Sequence, residues 1–379
     1  MKINVSKDTL LEGLLRVGKA ISGKSNLSAL SGVFIEGKGD KLIIRGSDTD
    51  ISIETFVQAD VLIEGYLLID YKVFLEVIRK LPNDLILIDS EDGPEVSIIC
   101  KKSHFNLITM DHTEYPQING LNKKILVFNV PQSDFKSLVN KVYFAASIDD
   151  TRPILKGTLI EIKNKKLNLV ALDGFRLSIA SVNADVDFEV SVVPDTKHLL
   201  EVSKLLGQTG IVQIGFTDNH ILFKTDNTVT LCRLLEGSFV DYKAIVGPFV
   251  SEYTNKLDIN RNELLAAIDR AILLSKGKDG RNLIKLKVNE NSDNLNIGSR
   301  STVGKSTEDI TISNAEGFKE PFEIAFNAVY LNDVLKNIYD EDITLYFNTS
   351  NSPCIIRGKD VDKELETFLI LPVRLNLVK

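Results

Sequence analysis

The chain has 379 residues, of which 44% are hydrophobic and 26% charged; this is the balance of a folded soluble protein and excludes wholesale disorder. At roughly 100–200 residues per domain there is material for two or three domains. The net charge of −7 excludes a protein that coats nucleic acid with its whole surface, so any such contact is confined to a local basic face.

The chain opens on alternating apolar residues after Lys2, which predicts a strand. Ser6 then stands as N-cap to an apolar run of helical period, which predicts a helix within 7–24. The stretch DKLIIRGSDTDISIETFV (40–57) alternates with period two between turn residues and reads as strands. From Leu67, LLIDYKVFLEVIRKLPND is a second strand leading into a helix, over 71–81. From Phe128, FNVPQSDFKSLVNKVYFAAS repeats the opening motif, with Gln132 or Ser133 as cap and a helix over 133–144. NKKLNLVALDGFRLSIASV (164–182) is again strand-like. VVPDTKHLLEVSKLLGQTG from Val192 repeats the second motif, with a helix over 196–206. LDINRNELLAAIDRAILLSK from Leu257 is the opening motif a third time, capped by Asn260, with a helix within 261–281. NLNIGSRSTVGKSTEDITIS (294–313) reads as strands, and IAFNAVYLNDVLKNIYDED from Ile324 closes the series with a helix over 328–339.

The first motif recurs at roughly 125–130 residues, and the second follows each copy by about 65–70. Such a fixed period predicts three similar α+β domains, 1–125, 126–253 and 254–379, each with two strand–helix units. The six helical windows together carry a net +8 in a chain whose total is −7, leaving −15 for the rest. Lys and Arg on solvated helix faces account for such a surplus without any function. The functional account is a surface of helices that meets a polyanion and touches phosphates without reading bases.

No catalytic constellation stands out, and neither an enzyme nor a cofactor is expected. His104, His112, His198 and His220 form no metal-ligand spacing, and the nucleotide and nucleophile-elbow patterns are absent. Asp48/Asp50 and Asp149/Asp150 lie in turn-like text and read as turn chemistry. Cys100, Cys232 and Cys354 sit in apolar strand contexts and read as core thiols, which favours a reducing compartment. The opening residues lack the apolar core of a secretory signal, and no apolar run approaches the length of a membrane span.

Over nearly its full length the chain resembles the β sliding clamp family, the processivity subunits of bacterial DNA polymerase III. The residues that carry this are LDGFRLSIA (172–180), LLEGSFVDYKAIV (234–246) and LILPVRL (369–375), with EYPQI (114–118), RPILKGTLIEI (152–162), RAILLS (270–275) and FNAVYLNDVL (326–335) in the family's order. The resemblance implies the clamp fold: three similar domains, each with two helices on antiparallel sheets, and two chains closing head-to-tail into a ring whose helices line the hole. It implies a non-catalytic, bacterial cytoplasmic protein that encircles duplex DNA without sequence preference and tethers the polymerase and other replication and repair proteins. A specialised paralogue serving mainly repair or translesion polymerases is the alternative.

Carried over by motif, the partner-peptide cleft is walled by Leu155, Leu172, Gly174, Phe175, Arg176, Leu177, Val240, Ile245, Asn327 and Tyr330, and by Leu369, Ile370, Leu371, Pro372, Val373 and Arg374. Clamp-loader and polymerase subunits dock there through short motifs, with Leu177, Ile245 and Leu371 expected as an apolar floor. Phe105 and Leu107 on one side, and Ile272 and Leu273 on the other, match the homodimer interface. Lys24, Lys72, Arg79, Lys80, Lys141, Arg152, Lys197 and Lys276 are the basic residues expected to face DNA. The chain departs from the family pattern at Phe175, where a His is usual, and at Leu172, Val240, Ala244 and Val373. These changes make the cleft more apolar.

Overall fold

The computed structural model describes residues 1–21, 27–90, 94–113, 115, 126–250, 253–277, 281–289, 293–359 and 365–374. Six strand–helix units recur along it. Strands Lys2–Ser6, Gly65–Asp70, Leu126–Pro131, Val190–Val192, Asn255–Asn260 and Phe322–Asn327 lead into helices α1 (Lys7–Val17), α2 (Tyr71–Lys80), α3 (Gln132–Val142), α4 (Thr196–Leu205), α6 (Arg261–Ile272) and α7 (Ala328–Asn337). The caps follow the sequence. Ser6 accepts from Thr9 N (3.2 Å), Asp70 from Val73 N (2.9 Å), Asn260 from Asn262 N (3.0 Å) and Glu263 N (3.2 Å), and Asn327 from Val329 N (3.0 Å). Each satisfies backbone donors that the first helical turn leaves open. Gln132 and Ser133, expected as caps, are instead the first two residues of α3. The Gln132 carboxamide serves the connection from α4 to strand Ile211–Phe216, accepting from Gly207 N (2.7 Å) and donating to Ile211 O (3.3 Å).

The windows expected to be helical at 7–24 and 133–144 run past α1 and α3 into short 3-10 turns at Gly18–Ala20 and Tyr143–Ala145. A seventh helix, α5 (Tyr242–Val250), was not expected. It contains Gly247-Pro248, a pair that reads as a breaker in sequence. Asp241 starts it by accepting from Ala244 N (3.1 Å).

Contacts divide the chain into two compact units, Met1–Phe135 with Glu201–Leu234, and Lys136–Leu200 with Leu235–Lys379. The first holds a 13-stranded sheet. Its two halves join where Thr228–Arg233 pairs antiparallel with Ile51–Gln58, Thr230 opposite Ile53. α1 and α2 bury Leu10, Leu14, Phe74 and Ile78.

The second unit holds a nine-stranded and a four-stranded sheet. The nine-stranded sheet is continuous because Arg176–Asn183 pairs with Glu366–Ile370. α6 and α7 contribute Leu264, Ile268, Leu331 and Leu335 to one core with Ile259 and Leu345 of the larger sheet and Leu286 and Ile297 of the smaller. Each such side chain is worth about 1.5–3 kcal/mol of burial. The opposite face of the larger sheet is covered by α5, with Tyr242 and Val246 on Leu172, Leu177 and Leu369. Every strand pairing described is antiparallel. Among the described residues no helix is long and apolar enough to cross a membrane.

Candidate functional site

The site lies in the second unit, at the turn between strands Lys166–Leu172 and Arg176–Asn183. Asp173 shapes the turn: its Oδ1 accepts from Phe175 N (2.8 Å) and Arg176 N (3.0 Å). Gly174 has φ +89°, a left-handed conformation open to glycine and costly for other residues. The turn drives Phe175 outward, 58% exposed. The Arg176 guanidinium bonds Asp173 Oδ2 (3.0 Å) and Asp333 Oδ2 (2.6 Å) and lies over the Tyr330 ring at 4.4 Å. Phe175 stacks on Tyr330, with centroids 6.1 Å apart. Burial raises the Tyr330 pKa, so the phenol stays protonated at neutral pH.

The chain's last described segment completes the site. Leu177 pairs with Leu369 and Arg176 with Ile370 in the antiparallel ladder. Beyond the strand, Leu371 N donates to Phe175 O (2.8 Å) and Val373 N to Ala325 O (2.7 Å). These bonds hold Leu371, Pro372 and Val373 against the turn. Two cavities result. One of about 500 Å³ is lined by Leu155, Asp173, Gly174, Phe175, Arg176, Tyr330 and the loop Ala146–Arg152 without Asp150. The other, about 380 Å³, is lined by Phe175, Arg281, Asn282, Leu283, Asn327, Tyr330, Leu371, Pro372 and Val373. Phe175 and Tyr330 belong to both and form the partition between them. Apolar walls with a few fixed polar groups suit the anchor side chains of an extended peptide.

Several expected wall residues sit differently. Ile370 is fully buried on the far face of the strand, in the core of α6 and α7, because successive strand residues point to opposite faces; it is core and not wall. Leu177, Leu172 and Leu369 are core under α5 and support the site from beneath. Of the expected floor, only Ile245 and Leu371 reach the surface, and Ile245 and Val240 line neither cavity. Asn327 spends its carboxamide oxygen capping α7. Ion pairing holds Arg176, so it orients Tyr330 more than it offers donors.

Residues not foreseen are Ala146, Ser147, Ile148, Asp149, Thr151, Asp173, Arg281, Asn282 and Leu283. Ile148 is 97% exposed inside the polar turn SIDDTR, and an apolar residue in such a turn was the one available signal. The turn chemistry itself is there: Asp149 Oδ1 accepts from Thr151 N (2.9 Å), which lowers the Asp149 pKa, and Asp48 Oδ1 accepts from Asp50 N (3.2 Å) and Ile51 N (3.0 Å).

The basic residues expected to face DNA divide into groups. Lys72, Lys80, Lys197 and Lys276 are exposed, and Arg79 pairs with Glu76 (2.8 Å). Arg152 lines the larger cavity. Lys141 is committed to the buried Glu366 and is 21% exposed, so it is not a free surface cation. Lys24 lies outside the described residues. On strand Ser103–Met110, Phe105 is exposed and Leu107 half-buried on the same face, while Leu273 is 79% exposed after α6 and Ile272 packs on the core.

Three family profiles match in tandem: the DNA polymerase III beta subunit N-terminal domain over residues 1–119, its central domain over 129–241 and its C-terminal domain over 249–374. The chain is 32% identical to the beta sliding clamp of Bacillus subtilis, over 99% of this chain and 100% of that protein, and 31% identical to that of Halalkalibacterium halodurans with the same coverage. The crystal structure of the Bacillus subtilis clamp superimposes with a TM-score of 0.92 at 30% identity, covering 99% of each chain. A polymerase III beta subunit from Eubacterium rectale gives 0.90 at 30% identity, covering 99% of this chain and all of the other. Full-length likeness in both sequence and fold, over a chain built from six copies of one strand–helix theme, makes this protein a member of the β sliding clamp family, the beta subunits of DNA polymerase III.

Proposed function

We propose that two copies of this chain close head-to-tail around duplex DNA and hold the replicative polymerase there, so that retention comes from encirclement and the DNA contacts stay weak enough to slide. The observation that carries this reading is the paired cavity at Phe175 and Tyr330, built in a chain that matches clamps from end to end. Phe105 and Leu107 of one copy would meet Ile272 and Leu273 of the other. Lys72, Lys80, Lys197 and Lys276 are the exposed cations that would touch phosphates. Polymerase and clamp-loader subunits would insert short apolar motifs at Phe175, Tyr330, Leu371 and Val373, exchanging with micromolar affinity. The protein would do no chemistry of its own and would act in the bacterial cytoplasm. The test is retention after loading: the protein should stay on closed circular DNA and run off the same DNA once linearised. Equal loss from both forms would overturn the reading.

A further inference from the structure

The chain leaves the second unit at the rim of the cleft. Leu371, Pro372 and Val373 line the smaller cavity, about 380 Å³, and the Val373 N–H is spent on Ala325 O (2.7 Å). Arg374, the last residue described, is exposed. Phe175 and Leu371 leave apolar surface uncovered at the same place. Such surface favours whatever apolar group is held close to it.

Beyond Arg374 the sequence continues Leu375-Asn376-Leu377-Val378-Lys379, outside the described residues. Three of these five side chains are apolar and none is acidic. The C-terminal domain profile ends its match at 374, so the family pattern does not account for them. Asn376 is a residue of turns, because its short carboxamide bonds nearby backbone and tolerates left-handed φ. A two-residue reversal at Leu375-Asn376 would set Leu377 opposite Arg374 and Val378 opposite Val373. In that register the outer pair is the one whose N–H groups point away from each other. The Val373 N–H already points away, toward Ala325. Val373 is itself a wall of the cavity, so Val378 would come back onto it with no further span to bridge.

We propose that Leu377 and Val378 fold back onto the smaller cavity and compete there with the apolar anchors of partner chains. A partner then has to displace the clamp's own residues in order to bind. The proposal rests on the cleft reading above and adds its regulation. So short a tether holds the segment at an effective concentration on the order of millimolar. An affinity too weak to matter in a free peptide is then enough to fill the cavity for much of the time.

The experiment titrates a fluorescent Gln-Leu-Ser-Leu-Phe anchor peptide into three forms of the protein: the full chain, a chain stopped after Arg374, and Leu377→Ser/Val378→Ser. All three keep every described residue, so each should show a cooperative urea transition. Both altered chains should bind the anchor at least threefold tighter than the full chain. A free Arg-Leu-Asn-Leu-Val-Lys peptide at millimolar concentration should displace the anchor from the stopped chain. Equal binding by all three forms, or a free peptide that displaces nothing, overturns this proposal and leaves the cleft intact. Weaker binding by the stopped chain would overturn it too, and would make the segment part of the surface that partners grip. A gain that appears only as protein concentration rises would assign the segment to a second copy's cleft, against folding back. No anchor binding by any form would remove the cleft reading and this extension together.

Discussion

Lys141→Met separates a structural lysine from a DNA-facing one. Glu366 is 1% exposed; one carboxylate oxygen accepts from Lys141 and the other has no partner. Burial raises the Glu366 pKa even with the Lys141 ammonium beside it, so desolvation outweighs the attraction. Removing one member of a buried pair costs about 3–5 kcal/mol while the other stays charged. Because Lys141 is one-fifth exposed, water reaches the gap, which places the loss near the lower end, about 3 kcal/mol at pH 8. Protonation is the escape, at about 1.4 kcal/mol for each unit by which the pH exceeds the pKa.

The pH dependence follows from the direction of the shift. A carboxyl whose folded pKa is raised contributes stability that is complete below its ordinary value of 4.5 and is lost as pH rises through the folded value. Removing Lys141 raises the folded value further and widens that window upward. The gap between variant and wild type is therefore small at pH 5 and grows toward pH 8. Lys141→Met/Glu366→Gln should recover most of the loss, since no charge is then buried. Urea midpoints at both pH values measure this. A loss below about 0.5 kcal/mol at pH 8, together with faster escape from circular DNA, would refute the reasoning and return Lys141 to the DNA face.

Ile272→Ala with Leu273→Ala should give folded monomers by sedimentation, chiefly through Leu273, because Ile272 also packs on its own core; an unchanged dimer mass would move the interface elsewhere. Tyr330→Ala should weaken an anchor peptide about tenfold, roughly 1.4 kcal/mol, by removing the wall shared by both cavities, with a lowered urea midpoint but a folded chain, because Tyr330 also packs on the core; undiminished binding in a calorimetric titration would place partners elsewhere. Truncation after Glu366 is a poor probe of the same cleft, because Thr367, Phe368, Leu369 and Ile370 are buried and their loss should unfold the unit. Lys80→Glu with Lys197→Glu should shorten retention on circular DNA and flatten its dependence on salt, while unaltered retention at every salt concentration would take both residues off the DNA face.

Local chemistry was legible in the sequence. Ser6 and Asn260 cap helices because each precedes an apolar run of helical period, and both signals are carried by adjacent residues; Asp70 and Asn327, not singled out in the sequence, do the same. The repeat, and with it the family, could be read for the same reason. The site was legible where its residues lie inside a motif: Gly174, Phe175 and Arg176 are fixed by one turn, and Asp173 holds that turn from three residues away at most. What only the tertiary structure decided depends on partners far along the chain. Period-two alternation places Ile370 and Leu369 on opposite faces, but which face meets ligand depends on α5, a helix hidden by its Gly-Pro pair. Lys141 looked like any surface lysine until Glu366, 225 residues later, was found beneath it. Arg152 and Ile148 join the cleft through a loop whose text announces only a turn. Pairing, burial and charge compensation are properties of contacts between distant segments, and one sequence records the residues without recording which of them meet.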